Sequence, residues 1–292
     1  MVAAAAAGLM ADEATRVIIV PLALFAAIGL AEDMRGVSIP ARLVLQSLAG
    51  SIAGALLVPA GHSAMSAAVT VVMATAWLVG YANAFNFMDG INGISAAQAM
   101  LAGVVYAVLG VVYNVAPLTI AGVVAAAAAV TFLPWNAGRA RIFLGDVGSY
   151  GLGGMLGALA VFGVLNDVPV EAMLAPLALY LADTGWTLIR RKAQGEAWYR
   201  PHRTHAYQRL TGLGWSHQLV TLFTVVICGA ISAMVVAASR SAPPTRVTVG
   251  FAALGVLAAY LAWPSWVAAH KGREQPKVSS DGASGRRKQP VR

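Results

Sequence analysis

Apolar runs of membrane length recur along the chain, near residues 17 to 31, 41 to 60, 66 to 82, 93 to 113, 115 to 134, 149 to 165, 170 to 190, 218 to 239 and 247 to 267. Short polar breaks separate them. A spanning helix needs about 20 mostly apolar residues, so the pattern predicts about nine transmembrane helices. The runs lack the period-2 alternation of a barrel strand, and helices satisfy their own backbone groups in a waterless core. The expected fold class is therefore an all-α polytopic membrane protein. Residues 1 to 10 are apolar but too short to cross, and Asp12 and Glu13 follow without a basic leader or a clear cleavage site. They read as the end of a helix that begins upstream, not as a signal peptide. From His270 to Arg292 the chain turns to Ser, Gly, Pro, Lys and Arg, which cannot bury enough apolar surface to fold. Residues 1–269 are thus expected to form one transmembrane domain, and 270–292 a disordered basic cytoplasmic tail.

Composition supports this division. Charged residues make up 11% of the chain against about 25% in soluble domains, while the AVILMFWYC set reaches 59%. The formal charge of +8 does not imply nucleic acid, because the basic residues lie in loops and the tail. Of the 20 Lys and Arg, only Arg16, Arg240 and Arg246 fall opposite to the rest, which fixes the orientation by the positive-inside rule. Cys228, the single cysteine, lies in an apolar run and reads as a small core residue.

With that orientation, the polar islands that could carry chemistry fall on the cytoplasmic side. Glu32 and Asp33 close the first run. In Asn83-Ala-Phe-Asn-Phe-Met-Asp-Gly-Ile-Asn-Gly93, helical spacing would bring Asn83, Asn86 and Asp89 onto one arc, with Asn92 following. Asp146 stands between glycines in Phe143-Leu-Gly-Asp-Val-Gly-Ser149, where a carboxylate can hold Mg²⁺ beside phosphates bound at a new helix start. The stretch from Trp198 to Arg209 offers Arg203 and His205, which suit phosphate recognition but are also what a cytoplasmic basic loop contains. A solvated helix end or a plain turn is the structural alternative for the middle two islands. Asp183, inside a run, is expected to serve a structural or positioning contact.

In this order and between spans, the islands resemble the polyprenyl-phosphate N-acetylhexosamine-1-phosphate transferases, and the likeness runs from about residue 17 to 267. The resemblance implies that a lipid phosphate attacks the sugar-linked phosphorus of a UDP-sugar and releases UMP. It implies Mg²⁺, with Mn²⁺ as a substitute, held by Asp146 and Asp89. Asp33, Asp89 and Asp146 take the catalytic positions; Glu32, Asn83, Asn86, Asn92, Arg203 and His205 take substrate-binding ones. The implied partners are a UDP-N-acetylhexosamine and undecaprenyl phosphate in a bacterial inner membrane, with the site facing the cytoplasm. No nucleic acid is implied, and a homodimer is left open.

Three departures stand out. Glu32 occupies the first position of a pair usually made of two aspartates. The usual histidine run is thinned to His205, with Tyr207 and Gln208 following, which is more like the branch that starts O-antigen chains than the peptidoglycan translocase. About two N-terminal spans of the family are not present in the sequence. An inactive scaffold of the same fold, and a transporter built on intramembrane acids, are the readings from other classes.

Overall fold

The computed structural model describes residues 13–59, 61, 63–197 and 202–274. The expected tail from 275 onward, the apolar start before residue 13, and Trp198 to Pro201 lie outside the described residues. Among the described residues eleven α-helices follow in order: α1 (Glu13–Arg35), α2 (Ile39–Leu57), α3 (Ala64–Met88), α4 (Ile94–Val112), α5 (Ala116–Asn136), α6 (Gly145–Leu165), α7 (Val170–Leu174), α8 (Ala178–Ala193), α9 (Ala206–Gly212), α10 (His217–Ala238) and α11 (Pro243–Glu274). A 3₁₀ turn, Ala175–Leu177, joins α7 to α8. Among the described residues there is no strand, and nine helical segments are long and apolar enough to cross a membrane, α7 to α8 counting as one. The chain is a multi-pass membrane protein.

Several boundaries differ from the sequence expectation, each for a local reason. Helix α3 continues past residue 82 to Met88, so Asn83 and Asn86 sit on helix and Asp89 caps its end. Helix α6 begins at Gly145 instead of 149, which puts Asp146 in its first turn. The seventh run breaks at Pro176, which has no N–H to give the helix ladder. The Pro176 carbonyl is occupied instead by Gln98 and, at 3.2 Å, by the thiol of the fully buried Cys228. Helix α11 runs to Glu274, four residues past the expected start of the tail.

Helix α6 lies at the centre, packed along α1 and α3. Without a hydrophobic drive between helices in lipid, close packing of small residues brings such helices together. A Cβ on Gly29 of α1 would fall 2.1 Å from the Asp146 carbonyl oxygen, and one on Gly153 of α6 would fall 2.8 Å from the backbone of Ala82 on α3. These two contacts bring three backbones together where the polar islands end. The segments around residues 33, 87 to 92, 138 to 147 and 207 meet at this end of the bundle.

Candidate active site

The first two islands meet at the start of α6. Gly145 adopts a φ of 63°, which side-chain-bearing residues rarely adopt, and a Cβ there would fall 2.8 Å from Asp33 Oδ2. The turn aims the opening amides of α6 at α1. Asp146 N–H donates to Asp33 Oδ1 at 3.1 Å and Val147 N–H to Asp33 Oδ2 at 3.0 Å. A carboxylate on these free amide donors also suits the positive end of the helix dipole. Asp33 thereby fixes the backbone that carries Asp146. From α3, Asn86 Nδ2 donates to Asp146 Oδ1 and to Ser149 Oγ, each at 2.8 Å.

Asp146 opens onto a cavity of about 350 Å³ that Asn86, Asp89, Asn92, Asn136 and Gly145 also line. Burial pushes the Asp89 carboxyl up to about 6; a Ser95 hydroxyl pulls it down and the Asp146 carboxylate adds to the rise. Asn92 Nδ2 donates to the Gly138 carbonyl at 2.7 Å, and its own carbonyl accepts from Thr221 at 3.2 Å, tying this wall to α10. Among the described residues no three His, Cys, Asp or Glu side chains gather into a cage. Two carboxylates on one cavity, with room beside them, fit an ion that completes its shell with water and phosphate oxygens.

The other sequence candidates lie around this cavity rather than on it. Glu32 accepts from Val37 N–H at 2.9 Å and from Arg42 Nη1 at 3.1 Å, so its extra methylene spans the α1–α2 turn. Asn83 turns away from Asp89 and donates to Gln46 Oε1 at 2.6 Å. Arg203 is exposed. His205 is buried, and its Nδ1 donates to Asp183 Oδ1 at 3.3 Å. His202, its ring tilted against that of His205 at 4.9 Å, is held down to about 4 by burial and then by the charges of His205, Arg191 and Arg190.

Three residues that sequence reasoning passed over border the same corner. The Arg42 guanidinium lies 5.8 Å above the Tyr150 ring, with Gln46 one helical turn further along α2. Arg42 Nε, Gln46 Nε2 and Tyr150 OH are buried without a hydrogen-bond partner among the described residues. Buried donors are almost always satisfied; these three, among eleven such side-chain atoms in the described residues, are the ones near Asp33 and Asp146, where they have hydrogen bonds to offer an acceptor-rich group. The available signals were a glutamine inside an apolar run and a tyrosine four residues after Asp146. Arg42 had counted only toward topology.

Comparison with known proteins places the chain in a family. The sequence profile of glycosyl transferase family 4 matches residues 15–164. The chain is 29% identical over 154 residues to a probable undecaprenyl-phosphate N-acetylglucosaminyl 1-phosphate transferase of Bacillus subtilis, covering 52% of this chain and 43% of the relative. It is 29% identical over 248 residues to decaprenyl-phosphate N-acetylglucosaminephosphotransferase of Mycolicibacterium smegmatis, covering 74% and 61%. It is 30% identical over 143 residues to phospho-N-acetylmuramoyl-pentapeptide-transferase of Streptococcus mutans, covering 47% and 42%. The chain thus spans between about two-fifths and three-fifths of the length of these relatives. With the profile matching half of its residues, the chain belongs to glycosyl transferase family 4.

Proposed function

We propose that this protein transfers a UDP-linked N-acetylhexosamine 1-phosphate to undecaprenyl phosphate, giving polyprenyl-diphosphate-sugar and UMP. The observation that carries the proposal is the corner where Asp33, Asp146 and Asn86 interlock beside the unpaired donors of Arg42, Gln46 and Tyr150. It lies at one end of a membrane bundle, where a lipid phosphate would arrive. The positive-inside rule supports a cytoplasmic position for that end, in a bacterial inner membrane.

In the reaction, an oxygen of the lipid phosphate forms a bond to the sugar-linked phosphorus of the UDP-sugar as the bond to the UMP oxygen breaks. Little covalent work falls to the protein in such a transfer, so positioning and charge neutralisation dominate. The orphan donors orient the lipid phosphate, and Asp33 keeps Asp146 in place while retaining lone pairs toward the incoming group. Asn86 holds Asp146 Oδ1, and Asp89 forms the opposite wall. Mg²⁺, with Mn²⁺ as a substitute, would be held by Asp146 and Asp89 and supplies charge neutralisation of the phosphates when bound.

The names of the similar proteins make UDP-N-acetylglucosamine the first sugar to test. Purified protein in lipid nanodiscs, given undecaprenyl phosphate, Mg²⁺ and a panel of UDP-N-acetyl sugars, is expected to form a lipid-linked sugar with one UMP per product. Folded protein that releases no UMP from any of them contradicts the proposal.

A further inference from the structure

We propose that Asp183 is a positioning residue for the nucleotide-sugar pocket, acting through Tyr207, with Tyr260 holding it in place. The inference rests on the transferase reading above and adds residues outside the cavity to it.

Asp183 lies on α8 and is fully buried. A buried charge is tolerated when its lone pairs are filled, and here they are. Oδ1 accepts from Ala206 N–H at 2.9 Å, from His205 Nδ1 at 3.3 Å and from Thr187 Oγ1 at 3.3 Å. Oδ2 accepts from Tyr260 OH at 2.9 Å and from Tyr207 N–H at 3.4 Å. Three of these donors belong to consecutive residues, 205 to 207, where the chain returns from the basic loop into α9. The carboxylate therefore pins the backbone at that return, and Tyr260 of α11 braces it from the far side.

The pinned segment delivers Tyr207 to the pocket. Its hydroxyl donates to the Phe87 carbonyl at 3.0 Å, one of the last-turn carbonyls of α3 that a helix end leaves without a partner. The same oxygen accepts from Gln208 Nε2 at 3.0 Å. It also lies under the next loop, since a Cβ on Gly90 would fall 2.2 Å from it. Asp89, between these two contact points, lines the cavity. A continuous chain thus runs from Tyr260 and Asp183 through the backbone of α9 to Tyr207 and on to the segment that presents Asp89. Asp183 itself does not line the cavity, so its role is to set the place of Tyr207.

Asp183→Asn would turn an amide NH₂ toward these donors and risks unfolding, so the two phenols carry the test. Tyr207→Phe, Tyr260→Phe and the double variant are compared with wild type in nanodiscs. Each is read by UMP affinity in calorimetry, by KM for UDP-N-acetylglucosamine and for undecaprenyl phosphate, and by melting temperature. Tyr207→Phe is expected to weaken UMP binding and raise the nucleotide-sugar KM about fivefold, the scale of one lost hydrogen bond. KM for the lipid phosphate should stay within about twofold, because the orphan donors on α2 and α6 are untouched. Tyr260→Phe should act in the same direction, and the double variant should fall short of the product of the singles, because both act on one tether. Folded Tyr207→Phe protein with unchanged UMP affinity overturns the inference, as do single effects that multiply fully. Wild-type protein that binds UMP but turns over no sugar overturns the transferase reading alone, since the affinities still decide this one.

Discussion

Asp146 is half-buried and met by a single side-chain amide, whereas Asp183 is fully buried and ringed by five donors. Both carboxylates lie toward the same end of the bundle. The first borders a cavity and keeps coordination to spare; the second is not among the residues that line that cavity, and both of its oxygens are filled. An acid that meets a reactant needs spare coordination, and an acid that anchors a fold needs the opposite. The contrast separates the residue expected to touch substrate from the one that places its neighbours.

The comparison breaks most visibly at Asp146. Asp146→Asn keeps the size of the side chain and removes its charge, and UMP release should fall about 100-fold or more, the scale for losing one preorganised electrostatic contact. Its melting temperature should stay close to wild type. Asp183→Ala should show the reverse emphasis: five donors lose their acceptor, destabilising the fold by about 3 kcal/mol or more in thermal or denaturant unfolding. A stable Asp183→Ala protein would remove the anchoring half of the contrast. Tyr150→Phe deletes one orphan donor and should raise the KM for lipid phosphate a few-fold with little change for the nucleotide sugar. The stability of the Tyr150→Phe protein should not drop, because that hydroxyl satisfies no partner in the fold.

The smallest effect concerns the edge of the anchored region. His202 is held down to about 4 from an ordinary 6.5, chiefly by burial. The unfolded chain therefore binds the proton first, and folding stability is lost as pH falls from about 6.5 to 4, with no further loss from this group below that. His202→Gln should flatten that limb of a melting-temperature profile, and an unchanged acid limb would show that His202 does not contribute to it.

Much of this organisation is legible in the sequence because membrane burial is written in long apolar runs. The Gly-Asp-Val-Gly-Ser motif and the Asn-rich segment also located the cavity lining at Asn86, Asp89, Asn92 and Asp146. What stayed hidden depends on which partner a side chain finds across space. Asn83 shares a helix with Asn86, yet it turns to Gln46 on α2. Glu32 departs from the usual aspartate, and only the fold reveals that it spans to Val37 and Arg42. Helical spacing could not foresee that Asp183 and residues 205 to 207 would meet, since the link crosses a loop. Boundaries moved because polar residues such as Asn83 and Asp146 belong to helices whose ends emerge from the apolar layer.

The most direct test of the central claim is UMP release from UDP-N-acetylglucosamine and undecaprenyl phosphate, measured side by side for wild-type and Asp146→Asn protein matched in melting temperature. The account predicts UMP formation that depends on the lipid phosphate for wild type, and about 100-fold less or none for the variant. Equal rates in the two proteins would contradict it.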